Sequence, residues 1–214
     1  MPVRPVDHGI FAASGAGAAR AGYFGGGIIS GGIRQTKVEK FAFPDETRTA
    51  LGTGLAVSTN SLAAMANWGT AGYFGGGYDA GAATEAVDKF AFADDSRTTL
   101  GTGLSSVNYG LAGMANSGTA GYYGGGYKSG GPTQSVVDKF AFSDDSRTVL
   151  GTGLSSARNY QGGAANSGVA GYYAGGGGYE TTIDKFAFSD DSRTTLGTGL
   201  ATGTGYLAGM ANQV

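Results

Sequence analysis

The chain lacks cysteine, and its 214 residues include one histidine, one tryptophan and four prolines. The absence of cysteine excludes a disulfide framework, a thiolate nucleophile and a Cys-ligated zinc. The single histidine, His8, leaves little material for a catalytic triad or a His-rich metal site. No apolar run approaches the roughly 20 residues of a membrane-spanning helix, and the opening sequence MPVRPVDHG lacks the apolar core of a signal peptide. We therefore expect no cofactor, no membrane insertion and no secretion signal.

A surplus of charge of one sign is also missing. The chain has 14 basic and 16 acidic residues, and its formal net charge is -2. The two signs are mixed along the sequence, so the basic patch or stripe of a nucleic-acid-binding protein is absent. We expect no nucleic-acid partner.

Glycine, in contrast, is abundant, because 43 of the 214 residues are Gly where roughly 7% is usual. The sequence has no Gly-X-Y period, which excludes collagen. Its low net charge and its 12 Tyr and 11 Phe residues also argue against disorder. The glycines must therefore have positions in an ordered structure.

The glycines recur within an internal repeat that has a period of about 50 residues. A period of this length is typical of proteins built from repeated structural units. The marker AGYFGGG, or a close variant, begins at Ala21, Ala71, Ala120 and Ala170. Each repeat contains four short segments in the same order, with turn residues between them. We call them a (LAGMAN type), b (Ala-Gly, two aromatics, Gly-Gly), c (Val-Asp-Lys-Phe-Ala-Phe) and d (Arg-Thr-x-Leu-Gly-Thr-Gly-Leu). Their length and alternation predict β-strands and no helix.

The alternation in segment c predicts how repeats pack. Phe41 and Phe43 fall on one face of the strand, and Lys40 and Ala42 fall on the other. We predict sheets with one bulky and one small face, so that the aromatic face of one sheet packs on the Ala and Gly face of the next.

An acidic turn separates segments c and d in every repeat, for example Asp94-Asp95 and Asp144-Asp145. Paired carboxylates can serve acid–base catalysis or hold calcium. A catalytic pair is needed only once, however, and one turn supplies few of the six to eight oxygens that calcium prefers. We favour a tight hairpin turn capped by its own side chains, and we predict neither a catalytic nor a metal-binding residue.

Four antiparallel strands in each repeat predict a single all-β, four-bladed β-propeller, in which each repeat forms one blade. The expected blades cover roughly residues 8–55, 61–104, 110–154 and 159–200, with a closing strand at 205–212. This propeller, residues 20–214, would follow an N-terminal arm, residues 1–19, that contains a degenerate copy of segment a.

The run of segments a, b and c resembles a kelch-type propeller repeat. The resemblance lies in the aromatic–glycine strand, as in Tyr73-Phe74-Gly75-Gly76-Gly77, followed by an aromatic strand that runs into Asp. The glycine-rich form is also similar to kelch-like repeats of phage virion or tail-associated proteins. The resemblance implies a virion component or another extracellular surface protein.

Five copies of segment a compete for four inner positions, which leaves one terminal strand as a surplus. If the C-terminal copy closes the ring, the arm is free, and Ile10 and Phe11 could add to a neighbour's sheet edge. Head-to-tail exchange of this kind would give a ring or a filament. The alternative is that the N-terminal copy forms the inner strand and the C-terminal copy lies on the surface.

The loops between b and c vary most between repeats, and in a propeller they emerge on the same face as the loops between d and a. That face could bind a sugar ring or a protein through aromatic and amide side chains. The candidate contacts are Tyr78, Tyr127, Lys128, Tyr179, Asn108 and Asn159. Loops without a ligand would vary as freely.

These patterns predict a non-enzymatic structural or adhesive protein, with itself and other structural proteins as partners. The alternative is a lectin-like propeller that binds glycans on the variable loop face.

Overall fold

A computed structural model describes residues 21–43, 45–79 and 81–211. These residues form 19 strands and no helix, so none of them belongs to a helix that could span a membrane. The prediction of an all-β chain without helices is confirmed for this part of the chain.

The main strands form four antiparallel sheets, one for each repeat, which we number along the chain. Sheet 1 contains β1 (Ala21–Gly25), β4 (Val38–Ala42) and β5 (Arg48–Ala50). Sheet 2 contains β6 (Ala63–Asn67), β7 (Ala71–Gly75), β10 (Val87–Ala91) and β11 (Arg97–Thr99). Sheet 3 contains β12 (Ala112–Asn116), β13 (Ala120–Gly124), β14 (Val137–Ala141) and β15 (Arg147–Val149). Sheet 4 contains β16 (Gly162–Asn166), β17 (Ala170–Ala174), β18 (Ile183–Ala187) and β19 (Arg193–Thr195).

Two small hairpins lie in the loops between segments b and c of repeats 1 and 2. They are β2 (Ile28–Ile29) with β3 (Ile33–Arg34), and β8 (Tyr78–Asp79) with β9 (Ala82–Ala83).

Segments a to d form neighbouring strands in this order in sheets 2, 3 and 4, as the repeat predicts. Segment d is a strand over only three residues, because its Gly-Thr-Gly-Leu part leaves the sheet and turns its leucine into the core, at Leu55, Leu104 and Leu154. In sheet 1 the structure describes only segments b, c and d. The predicted arm with Ile10 and Phe11 lies outside the described residues.

Successive sheets pack through aromatic rings that lie on glycine. The Tyr123 ring lies against Gly75 of the preceding sheet, where an added Cβ would approach the ring Cζ to 2.7 Å. The side chain of Met65 occupies the space beside Gly121 of the following sheet in the same way. Because glycine leaves room for a whole ring, the sheets approach closely and still bury their aromatic residues.

The prediction of one bulky and one small face is wrong. Tyr73 and Phe74 are adjacent in β7, and the strand turns them to opposite faces. Tyr73 contacts Phe142 of the following sheet, whereas Phe74 covers Gly25 of the preceding sheet. Both faces therefore carry aromatic rings, and each ring is matched by a small residue or another ring across the joint.

A polar contact completes each joint between sheets. Tyr73 Oη donates a hydrogen bond to Asp145 Oδ1 at 2.8 Å, and Lys89 Nζ lies 2.7 Å from Asp145 Oδ2. The other two joints have the same pattern, with Tyr23 and Lys40 on Asp95 and with Tyr122 and Lys139 on Asp191. The same set of contacts thus occurs three times in one chain.

Buried aspartates add a further tie between repeats. Asp138, in the middle of sheet 3, accepts hydrogen bonds from the amide and the hydroxyl of Ser105, which belongs to the preceding repeat. Asp184 does the same with Ser155 and also lies 2.7 Å from Arg158 Nη2. Although burial raises the pKa of Asp184, these hydrogen bonds and the Arg158 charge hold that pKa below its ordinary value.

Sheet 1 and sheet 4 are not joined in this way. No hydrogen bond, ion pair or ring contact between described residues of the two sheets occurs, so a closed ring is not seen within one chain. The predicted closing segment forms no strand over residues 205–211. It packs instead on β16, where a Cβ added to Gly209 would collide with the carbonyl oxygen of Gly163.

Candidate interaction surface

A row of tyrosines lies where the loops between b and c meet the loops between d and a. Tyr78 and Tyr127 each follow a pair of glycines with positive φ, Gly76-Gly77 and Gly125-Gly126. This left-handed turn, which glycine adopts readily, directs the chain out of strand b and towards the neighbouring loop. Backbone hydrogen bonds then pair Tyr78 with Asn60 and Tyr127 with Tyr109.

The rings of this row contact one another across three repeats. Tyr109 is central, with ring centroids 5.0 Å from Tyr78, 5.4 Å from Tyr127 and 6.4 Å from Tyr160. Tyr160 in turn stacks on Tyr206 at 4.4 Å. We call these five residues, Tyr78, Tyr109, Tyr127, Tyr160 and Tyr206, the tyrosine row.

A positive charge lies against one end of the row. The Arg34 guanidinium lies 4.9 Å from the centroid of the Tyr78 ring, and its Nε donates a hydrogen bond to Asn60 Oδ1. Burial and the neighbouring tyrosines raise the pKa of the Tyr109 phenol, which is a neutral hydrogen-bond donor at neutral pH even without this shift. The surface therefore offers aromatic faces and hydroxyl groups with little charge.

A cavity of about 260 Å³ opens beside Tyr160 and Tyr206. Its walls come from four equivalent positions in the repeats, at Leu62, Leu111, Gln161 and Leu207. Gln161 is a glutamine where the other three positions have leucine, and it is only 3% exposed. Its Nε2 donates to the carbonyl oxygen of Gly124 at 2.6 Å, whereas its buried Oε1 has no hydrogen-bond partner.

The structure brings together two of the six contact residues expected from the sequence, Tyr78 and Tyr127. Tyr179 is exposed but makes no ring contact with the row in the described part of the chain. Lys128 is exposed and lies beside Tyr127.

The two expected amide contacts have different surroundings. Asn108 is buried, its side-chain Nδ2 donates a hydrogen bond to Ser106 Oγ, and its backbone carbonyl oxygen accepts one from the Gly77 amide. Its Nδ2 therefore shapes the loop, whereas its buried Oδ1 has no hydrogen-bond partner among the described residues. Asn159 is half-buried, and its backbone carbonyl oxygen accepts a hydrogen bond from the Gly177 amide.

Sequence reasoning missed Tyr109, Tyr160, Tyr206 and Arg34 as members of this surface. A signal was present, because each of the three tyrosines comes within two residues of the start of a segment a, in NYGLAGM, NYQGGAA and GYLAGM. The position before an inner strand is close to the same position in the next repeat, which is why the rings meet.

The acidic turns are occupied by structural contacts. The first aspartate of each turn caps it, as Asp94 does by accepting the Ser96 amide at 3.0 Å. In repeats 2, 3 and 4, the second aspartate of the turn accepts hydrogen bonds from the tyrosine and the lysine of the preceding sheet. No group of three or more His, Cys, Asp or Glu residues that could hold a metal ion occurs in residues 21–43, 45–79 and 81–211.

No protein-family model matches the chain, and no curated protein matches it.

Proposed function

We propose that the chain is a non-enzymatic structural or adhesive protein that works by binding. The observation that carries this proposal is the tyrosine row, a surface of contacting aromatic rings on a scaffold whose turn aspartates Asp95, Asp145 and Asp191 are engaged between sheets. Aromatic rings with hydroxyl groups are favoured at protein interfaces because they combine a large apolar area with a polar end.

The proposed setting is the virion or tail of a phage, or another extracellular surface. This part of the proposal is supported by the similarity of the glycine-rich repeats to phage kelch-like repeats, and it is an analogy of sequence pattern. Within it, the sheets act as blades of a propeller-type arrangement of four repeats, and terminal strands allow the chain to assemble with itself.

Binding of the labelled protein to a panel of intact bacterial cells tests the proposal. We expect binding that is lost in Tyr109→Ala, because Tyr109 touches three other rings of the row. Val149→Ala, at an exposed residue of the outer strand β15, is the matched control and should bind normally. Loss after protease treatment of the cells supports a protein partner, and equal binding by wild type and Tyr109→Ala contradicts the proposal.

The second candidate function is a lectin-like module, and the cavity beside Tyr160 and Tyr206 favours it. A sugar ring could stack on a tyrosine while one of its hydroxyl groups donates to the unpartnered Gln161 Oε1.

Glycan-array binding by the isolated protein tests this alternative. Gln161→Leu is the variant of choice, because Leu62, Leu111 and Leu207 stand at the equivalent positions and the fold should accept leucine. The lectin hypothesis predicts glycan binding by the wild type and its loss in Gln161→Leu. An array without signal, or cell binding that resists periodate oxidation of sugars, would contradict it.

A further inference from the structure

The outer face of sheet 1 carries one half of the joint that links sheets inside the chain. Phe43 is 58% exposed, although its equivalents Phe92 and Phe142 stack on a tyrosine of the preceding sheet at 5.1 and 5.3 Å. Phe24 is 66% exposed, although its equivalent Phe74 covers Gly25.

The acidic residue of the joint is also present on this face. Glu46 is exposed and has the left-handed backbone, φ 55°, of the turn aspartates Asp95, Asp145 and Asp191. Those three aspartates accept hydrogen bonds from the tyrosine and lysine of a preceding sheet. Glu46 is the corresponding carboxylate and has no such donor among the described residues.

Sheet 4 carries the complementary half. Tyr172 and Lys185 stand side by side in β17 and β18, as Tyr122 and Lys139 do in sheet 3. Tyr122 and Lys139 contact Asp191, whereas neither Tyr172 nor Lys185 makes a side-chain hydrogen bond or ion pair with a described residue. A negative Glu46 and a positive Lys185 would therefore match at a joint between the two faces.

The small residue that would receive Phe24 is Ala174, at the position of Gly25, Gly75 and Gly124. At Gly25, which also receives a phenylalanine, an added Cβ would lie 3.1 Å from the ring. A shift of a few tenths of an ångström accommodates such a methyl group, so alanine fits at this joint.

Segment 205–211 lies along β16 at the edge of sheet 4, although it forms no strand there. It lies against β16 as β16 lies against β12, because added Cβ atoms at Gly209 and Gly163 would meet the carbonyl oxygens of Gly163 and Gly113 in the same way. In the equivalent segments, Met65 and Met114 reach a glycine of the following sheet. Met210 is 95% exposed instead.

The described part of sheet 1 leaves a corresponding space. No inner strand borders β1 among the described residues. A cavity of about 330 Å³ lies between β1 and sheet 2, and its wall includes Gly72, the equivalent of the glycines that Met65 and Met114 approach.

We propose that a second copy of this chain completes this joint. Segment 205–211 of one copy becomes the inner strand of sheet 1 in the next copy, and Met210 enters the cavity beside Gly72. Phe43 of that next copy stacks on Tyr172 of the first copy. Glu46 of the next copy accepts hydrogen bonds from the Lys185 ammonium and the Tyr172 hydroxyl of the first. The contact is head-to-tail, so it generates a ring or a filament. The proposal rests on the self-assembling form of the proposed function, and it names the partner and the interface.

Charge exchange across the joint is the first test, with association followed by analytical ultracentrifugation over a wide range of protein concentration. We expect concentration-dependent association of the wild type, weakened about tenfold in Glu46→Lys and in Lys185→Glu, since each variant places like charges opposite each other. The double variant within one chain, and an equimolar mixture of the two single variants, should recover association. Thr102→Glu, at an exposed residue of the loop after β11, should associate as the wild type does.

Disulfide formation between introduced cysteines is the second test. The chain has no cysteine of its own, so only the introduced residues can form a disulfide. In the variant with both Phe43→Cys and Tyr172→Cys, oxidation should give a ladder of covalent oligomers. The control with Tyr23→Cys and Phe92→Cys, at a joint inside the chain, should give an internal disulfide and remain monomeric.

The outcomes separate this proposal from the proposed binding function. A monomer at every concentration, or an internal disulfide between positions 43 and 172, overturns the joint between copies whether or not the tyrosine row binds cells. Failure of cell binding with intact association overturns the adhesive function and leaves the joint in place.

Discussion

At the scale of the residue, the two glycines of each Gly-Thr-Gly element have different tasks. Gly103 lies where the chain leaves strand β11, and an added Cβ would collide with the carbonyl oxygen of Glu85. That oxygen accepts the Leu104 amide, which anchors the turn. Gly101, two residues earlier, has no atom within 4 Å of the same added Cβ.

This difference gives a paired prediction. Gly103→Ala should lower the free energy of unfolding by about 1–3 kcal/mol, the usual cost of overpacking, because the Glu85 carbonyl must move. Gly101→Ala should change it by less than about 0.5 kcal/mol, since the methyl group points into open space. Urea unfolding of both variants measures the difference, and equal losses would show that close approach is not the reason for the second glycine.

The capping aspartates of the acidic turns make stability depend on pH. Hydrogen bonds from the hydroxyl and the amide of Ser96, Ser146 and Ser192 hold the pKa of Asp94, Asp144 and Asp190 below the ordinary 3.8. A carboxyl with a lowered folded-state pKa stabilises the fold above its unfolded-state pKa, and that contribution is lost as pH falls through the folded-state pKa.

We therefore expect the melting temperature of the wild type to fall as the pH is lowered from about 4. The triple variant Asp94→Asn, Asp144→Asn and Asp190→Asn keeps an oxygen acceptor in each turn but removes the titrating group. Its melting temperature should fall less steeply over the same range. Thermal unfolding followed by circular dichroism at several pH values compares the slopes, and identical slopes would assign the acid sensitivity to other carboxyls.

At the scale of the element, the joint between sheets includes a tyrosine hydroxyl that donates to a carboxylate. Tyr122 Oη lies 2.8 Å from Asp191 Oδ1, and burial together with this bond raises the pKa of the phenol. Tyr122→Phe should therefore cost about 1–3 kcal/mol, as expected for a hydrogen bond to a charged group.

Tyr172→Phe is the matched control for this element, because Tyr172 has the same place in sheet 4 but no hydrogen-bond partner in the described part of the chain. Measured by urea unfolding at concentrations where the chain is monomeric, it should change stability by less than about 0.5 kcal/mol. A similar loss in both variants would mean that the hydroxyl acts through something other than the joint.

Strand order was predictable from the sequence because four segments recur with alternation and turn residues between them. How the faces of neighbouring sheets pack was not predictable. Tyr73 and Phe74 are both aromatic, and alternation alone does not tell which neighbouring sheet each ring contacts. Tyr78 and Tyr127 could be selected as surface residues from the variable loops. Tyr109 and Tyr160 could not, because their contacts depend on how closely neighbouring repeats approach.

At the scale of the whole molecule, the four sheets form a series in which each joint links one sheet to the next. Contacts join sheets 1 and 2, 2 and 3, and 3 and 4. In such an array, stability is approximately a sum of sheet and nearest-neighbour terms. A closed ring of four differs, because its geometry fixes the number of sheets.

Adding a sheet distinguishes these two arrangements. Residues 111–160 span one full period, so a second copy inserted after Tyr160 would add one sheet and one joint between identical neighbours. In an open series the urea midpoint of the longer chain should equal or exceed that of the wild type, because the new joint repeats the existing contacts. In a closed ring of four the fifth sheet has no place, and the midpoint should fall. As a control, residues 111–160 can be inserted in a shuffled order that keeps the length and composition, and this chain should lose stability in either arrangement.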